Sequence, residues 1–342
     1  MSTGTRDTFG RPIGNLRISV TDRCNLRCAY CMPEEEYVWL PRESVATFEE
    51  LALLADAFIA CGVERIRLTG GEPLLRRDVD ELIRLLGAKA GLQDLALTTN
   101  GLLLAEKAAG LRNSGLARLN ISLDTLRDDR FFGLTRRQGL DQVVHGIEAA
   151  RALGFRPLKL DTVVMRGVND DEILPLLDFA RAKEAEIRFI EYMDVGGATR
   201  WSRDQVVSKA EILALIGAAR GAVSPAERDL FAPAERYALA DGQTFGVISS
   251  TTAPFCGNCD RARLTADGRL FLCLYARDGL DLLTPLRNGA TVDDLTASIR
   301  SAWNGRTDRG AEVRLGLPDR GSSYSADLLR SSPHLEMHTR GG

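Results

Sequence analysis

Short runs of apolar and β-branched residues alternate along the first 193 residues with longer segments whose apolar positions recur at helical spacing. The short runs predict six strands, at 16–20, 65–70, 94–99, 118–124, 158–165 and 187–193. The longer segments predict helices at 47–62, 77–90, 140–154 and 171–185. Thr47 and Glu50 have the spacing of a capping box at the start of the first helix, and Pro175 should kink or delimit the last.

Strands and helices that alternate in this way predict parallel βαβ units. Six units are too few for a closed eight-stranded barrel. We therefore expect an α/β fold in which residues 1–220 form an open, partial (β/α)6 barrel, and a doubly wound open sheet is the alternative. Both place ligands at the carboxyl ends of the strands. The polar residues near those ends are at 21–31, 70–73 and 98–101, together with Ser122 and Met193.

The alternation weakens after residue 220, and we expect a smaller C-terminal domain over 221–342. Within it, Asp267 and Gly268 predict a hairpin turn that leads into a strand. The terminal segment 331–342 is predicted to be extended and mobile.

Composition and charge narrow the functional classes. The chain is 44% hydrophobic and 27% charged, which is ordinary for a globular protein. Its net charge of −3 argues against a general polyanion-binding surface, so any phosphate must be bound by local basic residues. The sequence contains neither a membrane-spanning apolar run nor a secretory signal, and we expect a cytoplasmic protein without a membrane or nucleic-acid partner.

Six of the seven cysteines form two groups of three. The first group is Cys24, Cys28 and Cys31, and the second is Cys256, Cys259 and Cys273. Clustered cysteines in a cytosolic protein are more often metal ligands or redox groups than disulfides. A [4Fe–4S] cluster held by three thiolates keeps one iron free for a small molecule. A zinc site completed by a distant residue, or an incomplete zinc ribbon for the second group, is the alternative.

The seventh cysteine, Cys61, lies in an apolar helical stretch and is expected to pack in the core. Arg261 and Arg263 follow the second CxxC at alternate positions, so they face the same side of an extended backbone. Two guanidinium groups beside a metal site suit a phosphate ligand.

Two motifs resemble the hallmarks of radical S-adenosylmethionine (SAM) enzymes. They are CxxxCxxC after the first strand, with Tyr30 before its last cysteine, and GGEP at 70–73 after the second strand. Together with "TTNG", "NISLDTL", "KLDTVVMRGVN", "FIEYM", "FCGNCDRARLTADG" and the final Gly341-Gly342, nearly the whole chain resembles the GTP 3′,8-cyclase family of molybdenum cofactor biosynthesis. The residues at 338–340, "HTR", are less typical of that family.

The resemblance implies a [4Fe–4S] cluster on each cysteine group, with the open iron of the first binding SAM and that of the second binding guanine. The implied SAM contacts are Tyr30, Gly71, Ser122 and Met193. The implied GTP contacts are Arg17, Arg67, Thr98, Lys159, Arg261, Ala262 and Arg263, with Arg188 as a further candidate. Catalytic roles are implied for Arg17 and for the terminal Gly341 and Gly342.

The resemblance also implies a reaction and partners. A 5′-deoxyadenosyl radical derived from SAM would initiate conversion of GTP to (8S)-3′,8-cyclo-7,8-dihydroguanosine 5′-triphosphate. An external electron donor is implied, the product would pass to cyclic pyranopterin monophosphate synthase, and a homodimer is compatible with the family. Two other functions compete: a radical SAM peptide modifier with an auxiliary cluster, and a zinc-stabilised nucleic-acid-binding protein. The net charge of −3 and the 6% aromatic content argue against the second.

Overall fold

The computed structural model describes residues 4–227 and 229–341. Its strands are β1 Asn15–Ser19, β2 Arg65–Thr69, β3 Asp94–Thr99, β4 Arg118–Ser122, β5 Leu158–Val164, β6 Glu186–Glu191, β7 Val223–Pro225, β8 Glu235–Leu239, β9 Thr244–Ile248, β10 Arg261–Leu264, β11 Arg269–Phe271 and β12 Leu280–Asp281. Its helices are α1 Phe48–Cys61, α2 Val79–Gly87, α3 Leu104–Asn113, α4 Asp128–Thr135, α5 Leu140–Ala152, α6 Ile173–Ala182, α7 Lys209–Arg220, α8 Leu283–Arg287, α9 Val292–Asn304, α10 Gly310–Leu315, α11 Ala326–Ser331 and α12 Met337–Arg340.

All these strands belong to one sheet, in the order β12-β11-β10-β1-β2-β3-β4-β5-β6-β9-β8-β7. Strands β1 to β6 pair in sequence order and are parallel. The parallel sheet is extended by β10 beside β1 and by β9 beside β6, and antiparallel hairpins form both ends. Among the described residues, β12 and β7 are the free edges, so the sheet is open as predicted for a partial barrel.

The strand register aligns three arginines on neighbouring strands. Arg17 on β1 is directly opposite Arg263 on β10 and Arg67 on β2. Their neighbours Leu16 and Ile18 are at most 1% exposed and belong to the hydrophobic core. Because side chains alternate along a strand, the apolar face packs against the helices and the arginines share the other face.

The predicted strands all exist, with bounds that differ by at most two residues. Strand β6 ends at Glu191, so Met193 lies in the following loop. The capping box of α1 is confirmed, because Thr47 Oγ1 accepts from Glu50 N at 3.1 Å and Glu50 Oε2 accepts from Thr47 N at 2.7 Å. Pro175 lies in the first turn of α6, where its missing N–H leaves no helical bond unmade.

Helices α3, α4 and α7 were not predicted. No side-chain cap marks the start of α3 or α4, and α3 contains Gly110, a poor helix former. By contrast, α7 begins with a capping box between Ser208 and Glu211 that the sequence does display. Two other predictions are confirmed: Asp267 and Gly268 turn between antiparallel β10 and β11, and Cys61 is 1% exposed in the core.

The prediction that the terminal segment is extended is wrong. A 3-10 helix at Pro333–Leu335 leads into α12, and His338, Thr339 and Arg340 are at most 2% exposed. Arg340 Nη1 donates to Leu274 O at 2.7 Å, and its guanidinium lies 4.1 Å from the centroid of the Phe271 ring. These partners are distant in sequence, so the local pattern of residues could not predict the contacts. Gly342 lies outside the described residues.

Among the residues that the structure describes, no helix has both the length and the apolar character needed to cross a bilayer.

Candidate active site

A cavity of about 320 Å³ opens at the carboxyl ends of the parallel strands and is lined by all six clustered cysteines. Two sequence groups that are more than half the chain apart therefore face the same space. The four implied SAM contacts and Thr98 also line this cavity, as do Arg17, Arg261 and Arg263.

The first cysteine group lies in the loop after β1, which is pinned by backbone hydrogen bonds. Arg27 N donates to Thr135 O at 2.9 Å, and Met32 N donates to Cys28 O at 2.7 Å. Within residues 4–227 and 229–341, no three His, Cys, Asp or Glu side chains are grouped to hold a single metal ion. The arrangement does not support a preformed zinc site, whose ligands all lie about 2 Å from one ion. A cubane, which spreads its ligands over separate iron corners, suits it better.

The electrostatics of this loop also favour a metal cluster. Burial raises the pKa of Cys24 to about 11 and raises the pKa values of Cys28 and Cys31 further. Without a positive centre, these thiols stay protonated at neutral pH. A coordinated metal deprotonates a thiol outright, so the residues fit a cluster held by three thiolates.

The second cysteine group has a different electrostatic environment. Burial opposes ionisation of Cys259, but the charges of Arg261 and Arg306 lower its pKa to about 6. Arg306 Nη2 donates to Cys259 Sγ at 3.3 Å, and Arg261 Nη2 does so at 3.5 Å. A thiolate is therefore available at neutral pH, as an iron ligand must be. The prediction did not include Arg306, because no motif links it to these cysteines.

The three aligned arginines form a positive band beside the second group. Among the described residues, the side chains of Arg17 and Arg67 have neither a hydrogen bond nor an ion pair. Burial, followed by the charge of a neighbouring arginine, lowers the pKa of Arg67 and of Arg263 to about 10 and also lowers that of Arg17. Unpaired guanidinium groups in this setting favour an anionic ligand, and phosphate offers paired oxygens that match their fork.

Other predicted GTP contacts lie nearer the amino ends of their strands or on the opposite face. Lys159 Nζ is 4.0 Å from Glu186 Oε1, and Arg188 Nη1 is 3.9 Å from Asp161 Oδ1. Ala262 is 0% exposed and packs in the hydrophobic core, so its side chain faces away from Arg261 and Arg263.

The GGEP loop needs its two glycines because it presses against the first cysteine loop. A Cβ on Gly70 would overlap Thr21 O, and one on Gly71 would overlap Arg23 O. The backbones are joined there, with Gly71 N donating to Thr21 O at 2.8 Å. Close approach of the two loops is therefore possible only with glycine at these positions.

Glu72 connects the GGEP loop to the loop after β3. Its carboxylate is 0% exposed and accepts from Thr99 Oγ1 at 2.7 Å, from Asn100 N at 2.7 Å and from Leu74 N at 3.0 Å. Burial raises the pKa of Glu72 to about 7. The sequence prediction gave this residue no role of its own.

Tyr30 is held by a carboxylate that the prediction also missed. Its hydroxyl donates to Asp124 Oδ2 at 2.7 Å, and Val163 N donates to Asp124 Oδ1 at 2.8 Å. Burial raises the pKa of Asp124 to about 6. The ring of Tyr30 is thereby fixed on the cavity wall.

The C-terminal segment forms part of the cavity wall through Met337 and His338. Gly341 has a φ of 68°, and a Cβ there would overlap Thr69 Cγ2. Its carbonyl oxygen accepts a hydrogen bond from Arg263. The ring of His338 lies 5.3 Å from that of Tyr37 and 5.5 Å from that of Trp39, both at edge-on angles.

Two family models match the chain. The model of the Radical SAM superfamily matches residues 18–180, and that of Molybdenum Cofactor Synthesis C matches residues 185–312. The first covers the cysteine loop and β1 to α6, and the second covers the other cysteine group.

Curated relatives match over nearly the full length. A protein named GTP 3′,8-cyclase 1 from Mycobacterium tuberculosis (strain H37Rv) is 52% identical over 341 residues, covering 98% of this chain and 95% of the relative. GTP 3′,8-cyclase from Acidothermus cellulolyticus is 46% identical over 342 residues, covering 97% and 94%. The one from Xanthomonas axonopodis pv. citri is 44% identical over 335 residues, covering 96% and 99%.

Among solved structures, Streptococcus suis SuiB bound to S-adenosylmethionine superposes with a TM-score of 0.57 at 16% identity. The match covers 91% of this chain and 72% of SuiB. At this identity, the likeness supports the fold alone.

Proposed function

The chain belongs to the GTP 3′,8-cyclase family of radical SAM enzymes, and we propose that it converts GTP to (8S)-3′,8-cyclo-7,8-dihydroguanosine 5′-triphosphate. It is an enzyme with a role in molybdenum cofactor biosynthesis, and the proposed reaction is the first step of that pathway. The observation that carries the proposal is the cavity shared by both cysteine groups and by Arg17, Arg261 and Arg263.

Two [4Fe–4S] clusters fit the two cysteine groups. Cys24, Cys28 and Cys31 would hold the first, and Cys256, Cys259 and Cys273 would hold the second. When bound, these groups supply the electron that splits SAM and an open iron for the guanine base. All remaining tasks, which are to bind, orient and enclose the two small molecules, fall to the protein.

The proposed SAM contacts line the same cavity as the first cysteine group. The backbone of Gly71 allows close approach, Ser122 offers a hydroxyl, and Met193 supplies an adaptable apolar surface. Tyr30, held by Asp124, fixes an aromatic wall beside the same cysteines.

The proposed triphosphate site is the arginine band. Arg17 and Arg67 have no competing partner in the described chain and can form forked contacts with phosphate oxygens. Lys159 adds a cation on β5, and Thr98 adds a hydroxyl. Arg261, already hydrogen-bonded to Cys259, and the neighbouring Ala262 backbone would border the guanine end.

The proposed role of the C-terminal segment is to close the cavity. Met337 and His338 line it, and Arg263 holds Gly341. Excluding water protects a reactive carbon radical from side reactions. Gly341, and Gly342 beyond the described residues, would thereby assist catalysis together with Arg17.

The test is an anaerobic assay of the reconstituted protein with dithionite, SAM and GTP. We expect 5′-deoxyadenosine and a cyclised GTP product by mass spectrometry. Arg17→Ala should lower formation of the cyclised product by about 100-fold or more, the loss typical of a removed charge-stabilising donor. Arg42→Ala, which changes an exposed arginine, should leave it unchanged.

The other outcomes separate the parts of the proposal. 5′-Deoxyadenosine without loss of GTP would retain the radical SAM assignment and reject the substrate. Neither product, from protein shown to contain both clusters, would reject the reaction.

We further propose a cytoplasmic location, an external electron donor, a homodimer and transfer of the product to cyclic pyranopterin monophosphate synthase. The seven cysteines are free, as a reducing compartment requires. We also propose a domain boundary near residue 220. Beyond it, β9 pairs parallel with β6, and β8 and β7 follow as antiparallel strands at the edge of the sheet. Light scattering after size-exclusion chromatography tests the homodimer.

A further inference from the structure

A buried arginine outside every predicted motif contacts the second cysteine group. Arg306 follows α9 and is 2% exposed. Its Nη1 donates to Cys259 O at 2.8 Å, and its Nη2 donates to Cys259 Sγ at 3.3 Å. One guanidinium thus fixes both the backbone and the sulfur of the same cysteine.

The other end of this cysteine turn is held by a second buried arginine. Arg11 Nη1 donates to Cys256 O at 2.8 Å. The carboxylate of Asp7 joins the two, since it pairs with Arg11 Nε and lies 3.8 Å from Arg306 Nη1. Asp7 is 7% exposed and Arg11 is 3% exposed.

The surrounding packing leaves Arg306 little freedom to move. Its guanidinium lies 4.5 Å from the centroid of the Trp303 ring. Trp303 Nε1 donates to Arg11 O at 3.0 Å, and Thr8 Oγ1 donates to Arg306 O at 2.7 Å. The N-terminal segment and α9 therefore lock together around the cysteine turn.

A second carboxylate also lies near Arg306, because Asp308 Oδ2 is 4.0 Å from Arg306 Nε. Arg306 therefore faces the carboxylates of Asp7 and Asp308 as well as the sulfur of Cys259. These contacts form one polar cluster, which fixes the guanidinium beside the cysteine sulfur.

We propose that Arg306 is a positioning residue for the second [4Fe–4S] cluster, held in place by Asp7 and Arg11. It presets the turn that carries Cys256 and Cys259, and its N–H···S hydrogen bond stabilises the ligating thiolate. Hydrogen bonds to ligand sulfurs raise cluster retention and reduction potential. This inference depends on the proposed function in one respect, namely that the second cysteine group holds a cluster.

The test compares Arg306→Met and Arg306→Lys with Arg300→Met, which changes an exposed arginine of the same α9. The full chain is reconstituted anaerobically and challenged with an iron chelator while iron is counted. The wild type should start with about eight iron atoms. Arg306→Met should lose about four of them roughly 10- to 100-fold faster, the usual cost of removing an outer-shell partner.

Redox titration with electron paramagnetic resonance gives a readout independent of turnover. The potential of the second cluster should fall in Arg306→Met and fall less in Arg306→Lys, which retains the charge without the fork. Arg300→Met should match the wild type in both measurements. Retention of the first cluster and the far-ultraviolet circular dichroism spectrum report folding of each variant.

Each outcome has a defined meaning. If Arg306→Met retains all its iron at the wild-type rate and potential, the inference is overturned. If Arg306→Met fails to fold, Arg306→Lys decides by the same measurements. A wild-type protein that binds only about four iron atoms contradicts the two-cluster assignment and this inference together. A wild type with about eight irons and no cyclised product contradicts the proposed reaction while the role of Arg306 is still decided by its variants.

Discussion

Arg263 Nη1 donates a 2.7 Å hydrogen bond to the carbonyl oxygen of Gly341, so the end of the chain is joined to the arginine band of the cavity. This contact requires a glycine, because φ is 68° and a Cβ would overlap Thr69 Cγ2. A single methyl group added at Gly341 should therefore displace the terminal segment.

Gly341→Ala should displace the terminal segment and lower formation of the cyclised product by about tenfold or more, because a misplaced closing element weakens the enclosure of reactants. Hydrogen exchange of residues 333–341 should increase in the same variant. Gly321→Ala is the matched control, because a Cβ at Gly321 meets no atom within 4 Å. Wild-type activity and exchange in Gly341→Ala would contradict the role of this contact.

Glu72→Gln should weaken the connection between the GGEP loop and the loop after β3. One carboxylate oxygen accepts from Asn100 N and the other from Thr99 Oγ1 and Leu74 N. A glutamine amide nitrogen cannot accept either set, so we expect a loss of about 1–3 kcal/mol in unfolding free energy. The measurement is urea unfolding, with isothermal titration of SAM.

Both linked loops line the cavity, and Gly71 is a proposed SAM contact. SAM affinity should therefore fall in Glu72→Gln while binding of GTP falls less. Exposed Glu106→Gln serves as the control. Equal losses for both ligands would indicate general disruption rather than a role at the SAM side.

Asp194 joins the loop after β6 to the C-terminal part of the chain. It is 0% exposed and accepts from Tyr275 Oη at 2.8 Å, from Arg314 Nε at 2.7 Å and from Arg320 Nη2 at 2.8 Å. Asp194→Asn would leave two arginines without their anion. Breaking a buried pair from one side costs about 3–5 kcal/mol.

We therefore expect Asp194→Asn to lower the urea midpoint strongly, and exposed Asp319→Asn to leave it unchanged. Replacing both Arg314 and Arg320 together with Asp194 tests coupling. If the loss from the triple variant equals the sum of the individual losses, the three residues do not act as a unit.

The local pattern of apolar and polar residues was sufficient to predict the partial barrel. The alternation of apolar and charged residues at Leu16, Arg17 and Ile18 predicts one strand with a buried face and a polar face. The alternation of strands with helices predicts that the strands pair in parallel. The spacing of the cysteines and the GGEP motif could also be recognised from the sequence alone. Sequence spacing also placed Arg261 and Arg263 on one strand, although not beside Gly341.

The remainder of the site depends on contacts between distant segments. Arg306 reaches Cys259 only because α9 packs on α1, and Arg340 is buried only because Phe271 and Leu274 receive it. The sequence around each of these arginines contains no pattern that predicts its burial. Carboxylates such as Asp124 and Asp194 were missed for the same reason, since their partners come from other elements.

Lys159 should give GTP binding a pH dependence that starts near pH 8. Burial, followed by the charge of Arg188, lowers the pKa of Lys159 to about 8 in the free protein. Below this pH the ammonium is already charged and binding of a polyanion needs no proton. Above it, binding requires proton uptake, because the triphosphate favours the charged form and raises this pKa. The dissociation constant should therefore be flat below pH 8 and rise by up to about tenfold per unit above it.

Isothermal titration at pH 7 and pH 9, in buffers of different ionisation enthalpy, measures both the affinity and the proton uptake. Lys159→Met should bind GTP more weakly at pH 7 and should lose both the pH dependence above pH 8 and the proton uptake. Lys183→Met, which removes a lysine paired with Glu148 at the protein surface, should keep them. If the wild type binds GTP equally well at both pH values without taking up a proton, Lys159 does not contact the triphosphate, and the phosphate site is limited to the arginines.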